Sequence, residues 1–285
     1  MNQTNITISH FSPLITYVPA MIWGDAANDP LAAEYWGQGY HSTNSSNGQG
    51  RLFFTWYGTG TRVHGGYRSR LGPYQVVVDS HVVAEFAGYQ RGDIEATDAV
   101  LFNSTGLRTG PHILEIINTS DDANRPVLDI NRIVYQHNVG DARNITAADP
   151  QCRWSSSTNA SSPIWHSVSG SKTTYSSIGS MNISFTVRTG IMLYGLVGPS
   201  NSPFLVTVDG TPQVMYPNTQ PNTNSTEPHV LYTIDGLEPA QEHVLSVRNN
   251  PVFSSQSGAS TTLNIHHAVV LDSSNGYALV SSPVV

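Results

Sequence analysis

The residues of this chain best suited to chemistry are aromatic and arginine side chains gathered in its first half. Sugar rings bind by laying their C–H faces on exposed aromatic rings, while arginine, asparagine and aspartate bond the hydroxyl groups. The combination predicts a saccharide-binding surface. Its candidate residues are Trp36, Tyr40, His41, Tyr67, Arg68, Arg70 and Tyr89.

Residues expected between strands are the stronger candidates in that set. Tyr67, Arg68 and Arg70 fall between two strand-like stretches, which would leave them on a loop. Trp56 and Tyr57 are adjacent, so the alternation of side chains along a strand requires one of them to face inward. Two other tryptophans, each preceded by isoleucine, are expected in the core: Trp23 and Trp165.

Catalysis finds little support, and we predict that the chain is not an enzyme. No Gly-x-Ser-x-Gly turn is present to hold a nucleophile. Glycoside hydrolysis needs two carboxyl groups about 5–10 Å apart across a cleft. The acidic pairs Asp93 with Glu95, and Asp121 with Asp122, lie in expected loops and have no counterpart in the second half of the chain.

Two histidines and two aspartates recur at matching places in the two halves. His112 and His243 each follow a turn, and we expect both to hydrogen-bond structurally. Asp79 and Asp209 end matching apolar runs, where a carboxylate can accept amide protons of the turn. These four residues are therefore predicted to stabilise the fold.

The elements that must position the candidates come from an internal repeat. Residues 63–79 and 193–209 share the order of apolar residues, glycine and aspartate, at an offset of 130 residues. A self-match at fixed spacing predicts a duplicated structural unit. Matching stretches continue on both sides, and the offset drifts only in expected loops, where insertions are tolerated.

The repeat predicts two domains and their boundaries. Module one is expected to span residues 1–140 and module two residues 149–272. Residues 141–148, with a glycosylation sequon, are assigned to an exposed linker, and residues 273–285 to a C-terminal tail.

Both modules are predicted to be all-β. Short runs of β-branched and aromatic residues alternate with turn signals, and no segment of useful length has helical periodicity. Residues 74–86 are expected to form a hairpin that turns at Asp79, Ser80 and His81. Many short strands separated by turns favour two tandem jelly-roll β-sandwiches.

The ordered motifs resemble a known fold family. The sequence aromatic-x-Val-x-Val-Asp, then Leu-Phe or Leu-Tyr before Gly-Leu, then His-Ile/Val-Leu, is similar to galactose-binding-domain-like jelly-roll modules. The tandem arrangement resembles the ectodomains of fungal single-pass surface proteins. The resemblance covers nearly the whole chain and implies a fold rather than a ligand, because this sandwich hosts glycan binders, adhesion modules and enzyme accessory domains.

Metal binding has weak support. Related sandwiches hold a structural calcium in a loop, which here would be bound by Asp25, Asp29 or Glu34 with backbone carbonyls. His266 and His267 are adjacent in an expected strand, so their side chains should point to opposite faces and cannot chelate one ion. No other cofactor is expected.

Nine sequons and a single cysteine give information about the cellular compartment. The sequons favour a glycosylated, extracellular or cell-surface protein. Cys152 has no partner for an intramolecular disulfide, and a lone thiol outside the cell is expected to be buried. The N-terminus lacks a signal pattern, so membrane attachment would need a segment absent from this chain. The sequons lie at Asn2, Asn5, Asn44, Asn103, Asn118, Asn144, Asn159, Asn182 and Asn224.

Charge limits the partners. The net charge is −7 and Lys172 is the sole lysine, which argues against binding to a nucleic-acid backbone. The tripeptide Arg91, Gly92, Asp93 is one that adhesion receptors read, although glycine and aspartate are also ordinary turn residues.

Three functions follow, in order of preference. The first is a non-catalytic extracellular protein that binds a glycan or cell-wall polysaccharide, or serves in cell-surface adhesion. The second is a structural, self-associating cell-wall or fibre protein, because edges poor in lysine permit strand pairing between copies. The third is an accessory module of a carbohydrate-active enzyme.

Overall fold

The computed structural model describes residues 3–26, 28–44, 50–89, 95–138, 142–155, 163–186, 190–217, 225, 227–238, 241–250 and 262–271. Within these ranges the chain consists of β-strands, turns and the short 3-10 helices Ala20–Ile22, Ala32–Glu34 and Trp36–Gln38, with no α-helix. No helix in the same ranges has the length and apolar character needed to span a membrane. The predicted all-β class is confirmed.

Module one arranges its strands in three antiparallel sheets. The sheet orders are β1-β12-β6-β9, β2-β5-β10-β7-β8 and β11-β4-β3. Strands β1 to β12 span, in order, Gln3–Ser9, Ile15–Val18, Trp23–Asp25, His41–Asn44, Arg51–Gly58, Gly60–Tyr67, Tyr74–Val78, His81–Phe86, Ala96–Ser104, Gly110–Asn118, Val127–Ile130 and Arg132–Asn138.

Module two repeats this arrangement strand for strand. Its sheets have the orders β13-β24-β18-β21, β14-β17-β22-β19-β20 and β15-β16-β23. The predicted pair of tandem jelly-roll β-sandwiches is therefore confirmed. Strands β13 to β24 span, in order, Ala142–Thr146, Cys152–Trp154, His166–Val168, Ser171–Thr174, Ser180–Thr186, Gly190–Gly195, Phe204–Val208, Thr211–Met215, His229–Asp235, Glu242–Asn249, Leu263–Ile265 and His267–Leu271.

Period-two alternation decides which face of each strand enters the core. In β5, Phe54 and Trp56 are buried while Tyr57 is half-buried. Trp56 is thus the core residue of the adjacent pair, and its ring stacks with Phe54. Trp23 and Trp165 are buried in their modules, as predicted.

The predicted hairpin forms between β7 and β8 and recurs between β19 and β20. Asp79 and Ser80 adopt positive φ values of 50° and 67°, and Asp209 and Gly210 adopt 50° and 86°. Aspartate and glycine tolerate this left-handed region better than most residues. The repeated Asp therefore marks the same tight turn in both modules.

Module two begins earlier than predicted. Strand β13 falls within residues 141–148, which were assigned to a linker, yet it pairs antiparallel with β24 just as β1 pairs with β12. Ile145 is fully buried between exposed neighbours, so this stretch contributes to the core. The strand was not predicted because the sequon and the polar residues around Ile145 are typical of an exposed linker.

The modules contact each other directly. His137 Nε2 and Asp235 Oδ1 lie 2.8 Å apart, and both side chains are buried. The Ser12 hydroxyl donates to the Val230 carbonyl at 2.5 Å. Met192 of module two packs within the apolar cluster of module one. Apolar packing is therefore continuous across the boundary.

The predicted glycosylation sites differ in their surroundings. Asn118 is fully buried, donates to the Pro126 carbonyl at 2.8 Å and accepts from the Ser120 amide at 3.0 Å. A glycan has no room there, so the prediction for Asn118 is wrong. Asn2, Asn159, Asn224 and the side chain of Asn44 lie outside the described residues. The exposed sites are Asn5, Asn103, Asn144 and Asn182.

Cys152 is half-buried rather than fully buried. Its thiol donates to the Thr146 carbonyl at 3.3 Å. Burial, followed by the charge of Asp149, raises the pKa of the thiol to about 11. The thiolate is therefore scarce at neutral pH, and the side chain is a poor nucleophile.

Candidate functional site

One loop distinguishes module one from module two. Asp25 pairs with His41 across β3 and β4, and Ser167 pairs with Lys172 across β15 and β16. Fifteen residues separate the first pair and four separate the second. We call residues 26–40 the insertion loop. It carries the 3-10 helices Ala32–Glu34 and Trp36–Gln38.

Asp29 of the insertion loop is the centre of a charged cluster. Its Oδ2 accepts hydrogen bonds from Arg68 Nη1 and Arg70 Nη2, both at 2.6 Å. The Tyr40 hydroxyl donates to the same carboxylate. The Leu31 amide donates to Oδ1 at 2.9 Å, as in an Asx turn. Two guanidinium groups and a phenol therefore converge on one carboxylate.

Arg68 connects this carboxylate to two others. Its Nε donates to Glu95 Oε2 at 2.7 Å, and its Nη1 lies 3.8 Å from Asp129 Oδ2. The Ser69 hydroxyl and amide donate to Glu95 Oε1 at 2.6 and 3.1 Å. Arg68 is only 6% exposed. It is an internal cation whose desolvation is offset by three surrounding carboxyl groups.

Asp129 closes the cluster from the core side. It is fully buried, and its Oδ2 accepts from the Tyr35 hydroxyl at 3.0 Å. Among the described residues its Oδ1 has no hydrogen-bond partner. Burial therefore raises the pKa of Asp129 to about 6.

The charges nearer the surface are held in fixed states. Burial alone would raise the pKa of Asp29, but hydrogen bonds from Arg68 and Tyr40 hold it well below its ordinary value. Burial would lower the pKa of Arg68, yet Asp29 and Glu95 hold it above the ordinary value. Burial also raises the pKa of Tyr40. These groups offer fixed hydrogen-bonding partners rather than a proton poised for transfer.

The cluster forms the floor of an open pocket of about 530 Å³. Arg70, whose side chain is 44% exposed, and the partly exposed Glu95 place a donor and an acceptor at its rim. The remaining polar lining includes Asn28, Ser42 and Ser69. Donors and acceptors facing one concave space suit a ligand that carries several hydroxyl groups.

The structure brings three of the seven predicted candidates into this pocket, namely Tyr40, Arg68 and Arg70. Tyr40 and Arg68 are buried, however, so they shape its floor, and Arg70 is the exposed member. His41 lies behind the pocket, with its Nδ1 2.6 Å from Asp25 Oδ1, and is also buried.

The other three candidates lie away from the pocket floor. Tyr67 was expected on a loop but ends β6, where its hydroxyl bonds that of Tyr74 at 3.0 Å. Tyr89 stacks under the Arg125 guanidinium, 3.9 Å from the ring centroid. Trp36 is exposed and has its own neighbours, described below.

The calcium ligands considered from the sequence do not converge. Asp29 is occupied by two guanidinium groups, which supply the positive charge that a metal ion would bring. Asp25 is bonded to His41, and Glu34 is exposed. In the part of the chain that the structure describes, no three histidine, cysteine or acidic side chains are grouped as a metal site.

The geometry predicted for His266 and His267 is wrong. Their Nδ1 atoms lie 2.8 Å apart instead of on opposite faces. Strand β23 ends at Ile265 and β24 starts at His267, so the chain does not continue as one regular strand through His266. The His267 ring also stacks on Tyr194.

The repeated histidines and aspartates form matching clasps in the two modules. His112 Nδ1 lies 2.7 Å from Asp79 Oδ2, and His243 Nδ1 lies 2.6 Å from Asp209 Oδ2. Each histidine Nε2 also meets a backbone carbonyl, and each aspartate accepts a backbone amide of the neighbouring strand. The structural role is the one predicted, but the amides from which Asp79 and Asp209 accept hydrogen bonds belong to Ile113 and Val244 on the neighbouring strands, whereas amides of the turn were expected.

The acidic pairs considered for catalysis are engaged elsewhere. Glu95 is bonded to Arg68 and Ser69, and Asp122 lies 3.9 Å from Arg125. Asp93, like the whole tripeptide of residues 91–93, lies outside the described residues.

The two carboxylates that line the pocket, Asp29 and Glu95, were not among the predicted binding residues. Asp29 was considered only for calcium, and Glu95 only as half of a catalytic pair. The unequal spacing between the repeats, fifteen residues against four, was the available signal. It points to an addition in module one alone, where function is commonly located.

Comparison with solved structures finds matches of low identity and low TM-score. The tandem CBM51 modules of a Streptococcus pneumoniae family 98 glycoside hydrolase match 94% of this chain and 99% of theirs, with 8% identity and a TM-score of 0.31. A CBM22 tandem from Paenibacillus barcinonensis matches 93% and 97%, with 8% identity and a TM-score of 0.29.

A Paenibacillus xanthan lyase matches 95% of this chain but only 25% of its own, with 12% identity and a TM-score of 0.30. The chain thus spans about a quarter of that enzyme. No protein-family model matches the sequence, and neither does any curated protein. Because these scores are low, the description of the architecture depends on the strand pairing of this chain itself.

Proposed function

We propose that this protein is a non-catalytic glycan-binding protein whose ligand site is the pocket beside the insertion loop of module one. Its ligand is a glycan or polysaccharide of hydroxyl-rich rings, such as a cell-wall polysaccharide. We also propose the finer assignments that the motifs suggest: a galactose-binding-like module of fungal type, extracellular or displayed on the cell surface, glycosylated, and acting in adhesion.

The observation that carries the proposal is the asymmetry between two copies of one scaffold. The Leu71 amide bonds the Arg68 carbonyl in module one, and the Asn201 amide bonds the Gly198 carbonyl at the matching turn of module two. The positions of Arg68 and Arg70 are therefore held by Gly198 and Ser200. Since the sandwich forms without these arginines, the charged cluster is not a requirement of the fold.

A glycan array probed with the whole chain tests this function. Arg70→Ala should weaken binding at least about tenfold, because it removes the exposed donor at the rim. Arg51→Ala is the matched control, since Arg51 is similarly exposed at 49% and pairs with Glu115 on a sheet face. A blank array, or equal binding by the Arg70 variant, contradicts the proposal.

The structural, self-associating function remains the second candidate because of one specific surface. Val82 and Val83 are both exposed on β8, an edge strand of the five-stranded sheet. The matching edge strand β20 of module two carries Pro212 opposite Thr207, where Val82 lies opposite Val77. Light scattering should report particles larger than a monomer, reduced by Val83→Lys and unaffected by sugars, if this function holds.

A further inference from the structure

Trp36 is displayed at the surface, unlike the other tryptophans of the chain. The residue is 44% exposed, whereas Trp23, Trp56 and Trp165 are buried and Trp154 is half-buried. We propose that Trp36 is the centre of a second binding surface, separate from the pocket, which takes one ring of a neutral saccharide by stacking.

The loop that displays the Trp36 ring is held in place from below. The buried Asn131 side chain donates to the carbonyl oxygens of Trp36 and Gly39, at 2.7 and 2.5 Å. Gly37 and Gln38 adopt positive φ values of 68° and 60°. Gln38 is strained in this region, which glycine favours. The backbone is thus fixed so that the ring is presented without further ordering, which lowers the entropy cost of binding.

The guanidinium of one ion pair lies over a face of the exposed ring. The Arg132 guanidinium lies 5.5 Å from the Trp36 ring centroid. It donates to both oxygens of Asp98, at 2.6 and 3.2 Å, and Asp98 Oδ1 is also 3.2 Å from His64 Nδ1. Arg132 and His64 are direct partners across β12 and β6, so they lie on the same face of the four-stranded sheet, where their side chains are 12% and 10% exposed. We call Trp36, His64, Asp98 and Arg132 the Trp36 platform.

The charges of the platform select the class of ligand. Arg132 already places a cation beside the ring, so a cationic ligand would be repelled. The Asp98 carboxylate is already paired with the Arg132 guanidinium, so the platform has no unpaired charge that would attract an anionic ligand. A neutral sugar ring can stack on the indole face that the Arg132 guanidinium does not cover.

The platform is distinct from the pocket and specific to module one. Tyr35, next to Trp36, directs its hydroxyl to the buried Asp129 on the pocket side. In module two, the cross-strand pair that matches His64 and Arg132 is Tyr194 and His267, whose rings stack on each other. The short loop of module two contains no tryptophan.

Intrinsic tryptophan fluorescence of the whole chain tests the platform directly. The probes are neutral hexasaccharides of glucose, galactose, mannose and xylose, with iodide quenching as a second readout of ring exposure. At least one hexasaccharide should change the emission saturably and protect it from iodide. Trp36→Ala should weaken that binding at least about tenfold, and Trp36→Phe should weaken it less because a stacking ring remains.

Two other variants distinguish binding at the Trp36 platform from binding in the pocket. Trp154→Phe removes a half-buried tryptophan of module two and should leave the titration unchanged. Arg70→Ala should leave the change in tryptophan emission on adding the hexasaccharide intact, even if it weakens the binding of other glycans on the array. The platform is overturned if no probe alters the emission, or if Trp36→Ala titrates like the unmodified chain; the pocket is then judged by the Arg70 array result alone.

Discussion

The loop ends of the two modules show how one scaffold carries different surfaces. In module one, Asp129 follows Leu128 in β11 and lies 3.8 Å from the Arg68 guanidinium. In module two, Asn264 follows Leu263 in β23 and donates to the Thr173 hydroxyl at 2.7 Å. The surrounding fold is the same. Charge has therefore been added at one end of a scaffold that is stable with neutral residues there.

The comparison separates fold from function within one chain. The His–Asp clasps, the turns and the sheet orders occur in both modules, so they belong to the fold. The insertion loop, the arginines and the exposed tryptophan occur only in module one among the described residues. Buried charge destabilises unless it is fully paired. The charged cluster around Arg68 occurs in module one alone among the described residues, so we expect a ligand to bind there.

The largest expected effect comes from removing the internal cation. Arg68→Ala leaves Asp29 and Glu95 without their buried partner, so we expect the free energy of unfolding to fall by about 3–5 kcal/mol. Urea denaturation measures the change. Arg51→Ala, at an exposed ion pair, should cost no more than about 1 kcal/mol. Similar losses for the two variants would show that the cluster is not a buried network.

The second largest effect is expected when the Asp129 carboxyl is replaced by the amide that Asn264 supplies at the matching position of module two. The pKa of Asp129 is about 6 in the fold against 3.8 in the unfolded chain. The folded state thus holds this proton more tightly, and the contribution of Asp129 to stability falls as pH rises from about 4 to 6. Relative to the unmodified chain, the free energy of unfolding of Asp129→Asn should therefore rise by about 3 kcal/mol between pH 3 and 7.

The reverse exchange in module two serves as the control. Asn264→Asp should introduce a similar loss of stability with rising pH, since Asn264 is also buried. Urea denaturation at a series of pH values measures both variants. Parallel pH profiles for Asp129→Asn and the unmodified chain would contradict the assignment of the buried carboxyl.

The smallest loss of stability is expected for the His–Asp contacts that both modules share. Burial raises the pKa of Asp79 and Asp209, but the histidine bonds outweigh it and hold both pKa values below the ordinary value of 3.8. Their stabilisation is present above that pH and is lost as pH falls through the folded pKa. The carboxylates are half-exposed and the histidines are buried, so His112→Gln and His243→Gln should each cost about 1–2 kcal/mol, the loss of a charge-assisted hydrogen bond.

The stabilisation that the His243–Asp209 contact gives to module two is also lost at higher pH. Burial lowers the pKa of His243, but the Glu238 carbonyl and Asp209 raise it above its ordinary value of 6.5. Its contribution is therefore complete below that pH and is lost as pH rises through the folded pKa. Thermal denaturation of the His112 and His243 variants at pH 5.5 should show similar shifts. A large effect in one module alone would contradict a shared structural role.

The sequence predicts the fold better than the site, for physical reasons. Period-two alternation, as in β5, and the repeated Asp79 and Asp209 turns report local structure directly, so the sandwich and hairpins could be predicted. The strand around Ile145 could not, because its polar neighbours resemble a linker. Arg68 was predicted on an accessible loop, but pairing with Asp29 and Glu95, which are distant in sequence, buries it.

Hydrogen–deuterium exchange of the whole chain, with and without the glycan that binds most strongly on the array, would locate the binding surface. We predict added protection in residues 28–42 and 68–71 of module one. Residues 166–173 and 198–201, their counterparts in module two, should exchange unchanged. Protection confined to module two, or binding that leaves residues 28–42 and 68–71 unprotected, would contradict the assignment of function to the insertion loop and its pocket.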